Sequence, residues 1–430
     1  MIQSVTMWHI TPVDLGVEFL NPTDTLLEVN HILYNLVNSD IVIDKKKYSK
    51  TDYASLMKMR LFLSEMKRRL SDTESYAISE YPNISGCFAK FKVKDNLYCY
   101  VMISGIAVFF EHSNPIDYKD EKYFSIETFC ERQQYEYDYC DNPDNSQRKQ
   151  YIYKFLDILN DCINVKEFLY SSIEHFGNHG VRYTLCICVI NDPELISNNI
   201  NIQYKRNIRA LLDTSAFNNV LTECNLETIR QRIDNDPIDD VNFLELSENL
   251  IFSDNWSGIV IAGDIKHNEL VLKWMIEFEI WLQSHWLLFD AYCENVVRKK
   301  MTAAELQGIL NRVEMIKVQL ENDISSNMEQ CRLKMRQSLI ETSNIMTIYH
   351  RMHGLVNNKL KMVVLYDDKN KDKYAILSDI SLSIIALLQV YDVINDFIYK
   401  ETFTQKDFTT ICVILMITIL CVWTIIRSRR

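Results

Sequence analysis

Eighteen consecutive residues near the C-terminus, Thr409–Ile426 (TTICVILMITILCVWTII), carry no charge, no Gly and no Pro. As a helix this run would be about 27 Å long at ~1.5 Å per residue. That is close to the roughly 30 Å hydrocarbon core of a bilayer. A helix of a soluble core keeps a polar stripe toward water, and this run has none. Trp423 stands near one end, where an indole suits the membrane interface, and Arg427, Arg429 and Arg430 follow at headgroup depth. The run therefore predicts a transmembrane helix bounded by Thr409 and Ile426, with Arg427 opening a basic tail. The rest of the chain is read as something held at a lipid bilayer by its C-terminus.

Composition narrows the alternatives. A chain of 430 residues with 47% hydrophobic content has room for a large core and for two or three domains. A net charge of −12 opposes nucleic-acid binding by charge, and no nucleic-acid partner is expected. Only 9 Gly and 7 Pro suit long helices with few tight turns. The 12 Cys are scattered without a CxxC pair, unlike a secreted disulfide framework, so reduced thiols in a cytosolic domain are expected. The opening MIQSVTMWHITPVDLG has neither the basic nor the apolar region of a signal peptide. The bulk of the chain is thus expected in the cytosol. The tail arginines outnumber Lys400 and Lys406 on the other flank, which by charge alone favours a cytosolic tail. A single span with the short tail translocated is the expected arrangement.

The first part of the chain reads as a mixed α/β head over residues 1–264. Ile2–Ile10 predicts a strand stopped by Pro12. Helical spacing follows over Pro22–Val37 and Asp52–Leu70, the latter closed by Lys67, Arg68 and Arg69, cations that suit a helix C-terminus. Residues 84–111 predict three antiparallel strands: Lys90, Lys92 and Lys94 alternate with Phe91 and Val93, and Asp95-Asn96 and Ser104-Gly105 are turn signals. A helix is expected from Ser146 to about Glu174. Val181–Ile190 then predicts a central strand covered on both faces. Residues 194–240 read as polar helix and 243–263 as strands. Ser104-Gly105-Ile106-Ala107-Val108 echoes Ser257-Gly258-Ile259-Val260-Ile261, which suggests that both hairpins complete one small mixed sheet.

From His267 the pattern becomes helical, and residues 265–405 read as a coiled-coil-like stalk. Leu270–Arg298 is one helix. Thr302 with Glu305 forms a capping box for a second, running to about Met352. Its apolar positions Leu306, Ile309, Val313, Ile316, Leu320, Ile324, Met328, Cys331, Met335 and Leu339 step by three or four, which predicts a helix-packing seam for self-association. DDKNKDK at 367–373 reads as an exposed turn. Tyr374–Lys400 is a third helix, leading into the membrane segment of residues 406–430.

No catalytic constellation stands out. The sequence has no GxGxxG, P-loop, nucleophile elbow or HExxH, and no cofactor, metal or catalytic residue is assigned. His175 and His179 have zinc-like spacing without a Cys pair and read as loop residues. Cys186 and Cys188 share a strand face and read as packing. His350 and His353 share a helical face with no carboxylate nearby in sequence. Trp274, Trp281 and Trp286 read as a helix–helix core.

A cytosolic α/β head, long stalk helices and a C-terminal membrane helix together resemble the layout of CorA-type magnesium channels. That resemblance implies an oligomer with membrane helices around a pore; the family's Gly-Met-Asn is absent here, and no residue is carried over. The expected fold class is thus α+β. The expected function is that of a non-enzymatic, C-terminally anchored homo-oligomer whose head binds a ligand or partner. The alternatives are a divergent CorA-like channel or membrane-permeabilising effector, and a membrane-held enzyme with its site near Val181–Ile190.

Overall fold

β-branched and aromatic residues, alternating or in short runs, form strands through much of the first 263 residues. The computed structural model describes residues 3–20, 49–70, 77–78, 84–112, 114–117, 146–164, 173–174, 183–195, 200, 202–216, 231, 243–247, 249–255, 258–322, 330–398, 408–409 and 413. The strands are β1 (Ser4–Asp14), β2 (Val17–Glu18), β3 (Ala77–Ile78), β4 (Cys87–Lys94), β5 (Leu97–Met102) and β6 (Ile106–His112), then β7 (Ile116–Asp117), β8 (Ile173–Glu174), β9 (Leu185–Asn191), β10 (Phe243–Ser247), β11 (Leu250–Asn255) and β12 (Gly258–Gly263). Ten of them make one sheet in the order β10-β11-β12-β9-β1-β6-β5-β4-β3, with β7 beside β1. All its pairs are antiparallel except β9 with β12. The echoed hairpins do join one mixed sheet, but the sheet is large. β9 lies inside it, flanked by β12 and β1 and buried along most of its length.

The described helices are α1 (Lys50–Leu70), α2 (Ser146–Ile163), α3 (Ile202–Ala216), α4 (Glu269–Arg298), α5 (Ala303–Asn322), α6 (Gln330–Thr342) and α7 (Ile345–Ile398). Ser49 opens α1 as a reciprocal cap: the Asp52 N–H donates to Ser49 Oγ at 3.1 Å, and Ser49 Oγ donates to the Asp52 carboxylate at 2.6 Å. Arg68 and Arg69 close that helix on Glu65, and Arg69 also reaches Asp161 of α2.

Strand alternation sends neighbouring side chains to opposite faces. On one face α1 and α2 cover β1, β4, β5 and β6, burying Val13, Phe91, Val93, Cys99 and Phe109 with Phe62 and Phe155. α3 covers the other end of that face over Val5, Met7, Cys186, Cys188 and Val260. Ser253 pairs with Val260, so Asp254 points to the opposite face, where α6 packs on β10 and β11 and α4 crosses β1 and β6. Each large apolar side chain so buried contributes about 1.5–3 kcal/mol.

Several expectations change. β1 runs through Pro12 to Asp14: β9 pairs it only as far as Ile10, so Pro12 lies where the strand has one neighbour and can spare a donor. α2 ends at Ile163, and Ile173–Glu174 is a strand against Val17–Glu18 rather than helix. The long second helix is broken: Asn344 adopts a left-handed backbone (φ 54°) between α6 and α7. Residues 367–373 are helical within the 54-residue α7, with Asp368 and Lys371 paired across one turn. α4 and α6 pack on the sheet, and α5 is tied to β2 and α4 through Arg312. The chain divides into Met1–Asn357, which holds the sheet and these helices, and Asn358–Arg430. Among the described residues no helix is long and apolar enough to cross a membrane. Trp423, Ile426 and Arg427 lie outside the described residues, as does the Thr409–Ile426 run apart from Thr409 and Val413.

Candidate functional site

α4 is apolar on more than one side, and each side meets a different layer. Trp274, Phe278, Trp281 and His285 form a continuous ladder of rings with centroids 5.4, 5.7 and 4.3 Å apart. Arg332 and Arg336 of α6 lie over Trp274 and Phe278 at 6.0 and 5.5 Å. This is the helix–helix core expected for the tryptophans, except that Trp286 packs elsewhere, against Tyr183. Glu279 and Gln283, one helical turn apart, form a second stripe. Gln283 Nε2 donates to Glu279 Oε1 at 2.6 Å, and Tyr183 OH donates to Gln283 Oε1 at 2.7 Å.

Glu279 is 2% exposed, and its Oε2 has no hydrogen-bond partner among the described residues. Burial pushes its carboxyl from 4.5 up to about 7; the Asp254 carboxylate adds to the rise, and the Gln283 hydrogen bond opposes it. Asp254, also buried, is raised by desolvation and held back by Thr342 and Ser338. Ser338 Oγ donates to Asp254 Oδ1 at 2.8 Å, and Thr342 Oγ1 lies 2.6 Å from Asp254 Oδ2. The folded chain therefore binds a proton on Glu279 that the unfolded chain has released. The stability this contributes is complete below about 4.5 and is lost as pH rises through about 7.

A second buried network is closed. Tyr292 OH donates to Glu18 Oε1 at 2.7 Å, and Arg312 Nη1 donates to Tyr292 OH at 3.0 Å and pairs directly with Glu18 Oε1. Burial lowers the Arg312 guanidinium to about 10, still well above neutrality, so Arg312 keeps its positive charge at physiological pH. It ties β2, α4 and α5 together. The chemistry of this second site is structural: both charges are matched and neither faces open solvent.

The seam residues Leu306, Val313, Ile316 and Leu320 are buried inside the single chain, so in this conformation their surface is not offered to a second copy. Ile324, His175 and His179 lie outside the described residues. His353 meets a carboxylate that sequence proximity does not show: its Nε2 is 3.3 Å from Glu314 Oε1 of α5, which also accepts from Tyr349 OH at 2.6 Å. Cys186 and Cys188 are buried packing residues, and burial raises the Cys188 thiol. Among the described residues no group of three or more His, Cys, Asp or Glu forms a metal-holding cluster. Glu279 was visible in the sequence only as one of four acids, with Glu277, Asp290 and Glu294, set between the apolar residues of α4, and Asp254, 25 positions earlier (279 − 254), carried no signal at all. No family model, curated protein or solved structure matches this chain, so any tie to the CorA-type layout rests on the order of segments alone.

Proposed function

We propose that this chain is an integral membrane protein anchored near its C-terminus, with Met1–Asn357 as a non-catalytic cytosolic head that binds a ligand or partner. The observation that carries this reading is the uncharged run Thr409–Ile426, with Trp423 at its end and Arg427, Arg429 and Arg430 after it. Unbridged cysteines among the described residues support a reducing compartment for the head. Self-association is assigned to α7 beyond Asn357, where Met362, Leu365 and Tyr366 are exposed at helical spacing.

Alkaline carbonate extraction of cell membranes tests the anchor. The full chain should stay in the membrane pellet, while a chain ending at residue 408 should move to the supernatant with a far-UV spectrum that loses only the helical signal of the deleted run. Release of the full chain by carbonate would refute integral insertion. The mass of the detergent-solubilised full chain by light scattering, corrected for bound detergent, tests the second part: Leu365→Ser with Met362→Ser should lower an oligomeric mass, and a monomeric wild type would remove the assignment.

A further inference from the structure

Beyond Asn357, α7 carries five apolar residues in a row, Met362-Val363-Val364-Leu365-Tyr366, between Lys361 and the acidic pair Asp367-Asp368. Met362, Val364, Leu365 and Tyr366 are between 44% and 66% exposed, and Val363 is partly exposed. The fold of the single chain thus leaves this belt open to water. An α-helix turns by about 100° per residue, so with Met362 at 0° the next four side chains point to about 100°, 200°, 300° and 40°. Apolar groups then face every side of the helix, with no gap wider than about 100°. A helix that packs on one neighbour is apolar along one stripe and polar opposite it, whereas a helix apolar all round is surrounded.

Lipid does not suit as the surroundings. Five residues rise only about 7.5 Å, far short of a hydrocarbon core of roughly 30 Å. Charges also bracket the belt closely, with Lys359 and Lys361 before it and Asp367, Asp368, Lys369 and Lys371 after it. Further copies of the same helix do suit. Chains anchored in one membrane near their C-termini run parallel at a common height, so every copy brings the same five residues to the same level. Confinement to one membrane also raises the effective concentration of the belts for one another.

We propose that Met362–Tyr366 is the packing belt of a parallel bundle of three or more copies of this chain, in which each α7 has a copy on at least two of its sides. The bundle presupposes the self-association already assigned to α7 and adds the number of neighbours, because one shared seam between two helices leaves part of the belt in water. A bundle of this kind gathers three or more Thr409–Ile426 runs into one patch of membrane. Membrane permeabilisation requires such a gathering, and an anchored pair does not supply it.

Light scattering of the detergent-solubilised full chain, corrected for bound detergent, counts the copies. The wild type should have the protein mass of three chains or more. Met362→Glu and Val364→Glu lie about 200° apart around the helix, and each should lower that mass. Both positions are exposed and Glu is a good helix former, so the far-UV spectrum should not change. A wild-type mass of two chains would overturn the bundle and leave self-association standing, whereas a mass of one chain would overturn both. A reduced mass for Met362→Glu beside a wild-type mass for Val364→Glu would show a one-sided seam. Wild-type masses for both variants would place the contact outside the belt. Either of these results would also overturn the bundle.

Discussion

Arg312→Met should destabilise the head by about 3–5 kcal/mol, read as a fall in urea midpoint with an unchanged slope. The substitution keeps the length and apolar stem of the side chain while removing its charge. Glu18, 2% exposed, then stays buried beside the Tyr292 hydroxyl without the cation that pairs with it. The expected loss measures an abandoned charge rather than a missing attraction, and a second variant separates the two. Combining Glu18→Leu, Tyr292→Phe and Arg312→Met removes every charge and hydroxyl of the network, and should recover most of the stability, because burying two charges is costly even when they are matched. A single variant as stable as the wild type would mean that Glu18 is solvated or protonated. A triple variant no better than the single would mean that the site depends on shape that apolar residues cannot supply.

What the sequence revealed and what it hid follow one physical division. Local rules were readable: alternation placed β4, composition placed β9, and Thr302 with Glu305 capped α5, where the Glu305 N–H donates to Thr302 Oγ1 at 3.3 Å and the Thr302 N–H donates to Glu305 Oε2 at 2.8 Å. The partner of an apolar stripe was not. Leu306, Val313, Ile316 and Leu320 show that α5 has a buried face, but spacing is the same whether a second copy or the chain's own core covers it. A discriminating signal stood one helix earlier. Apolar residues on two sides of α4, Trp274 and Trp281 on one and Leu282 and Phe289 on another, describe a helix sandwiched between layers rather than one strand of an extended stalk. The buried polar sites were hidden for a related reason. Asp254 and Glu279, or Glu18 and Arg312, come from different elements, and only the topology brings them together. Pro12 misled because its effect depends on whether the strand has a neighbour on the side of its missing N–H.

Gly105→Ala should be among the most damaging single-methyl additions in the molecule, at about 4 kcal/mol or more. Ser104-Gly105 is the turn between β5 and β6, and Gly105 has φ +80°, a conformation that costs an L side chain about 1–2 kcal/mol before any contact is considered. The larger effect is steric. A Cβ here would lie 1.6 Å from the Val17 carbonyl oxygen and 3.4 Å from the Glu18 Cα, so the methyl and β2 cannot occupy the same space. Side-chain rotation gives no relief because the obstacle is backbone. That backbone is also held by the Leu15 N–H donating to Gly105 O at 3.0 Å and the Phe19 N–H donating to Ile103 O at 3.1 Å. Moving β2 shifts Glu18, and with it the ion pair to Arg312. Gly105→Ala and Arg312→Met should therefore be non-additive, the double variant losing less than the sum, by 1 kcal/mol or more if one displacement underlies both. Gly354→Ala is the matched control: it lies inside α7 with open space around the added methyl, and should stabilise by about 0.5–1 kcal/mol through helix propensity. Equal denaturation midpoints for the two alanine variants would show that the turn does not rest on β2. Strict additivity with Arg312→Met would show that the turn and the ion pair fail separately.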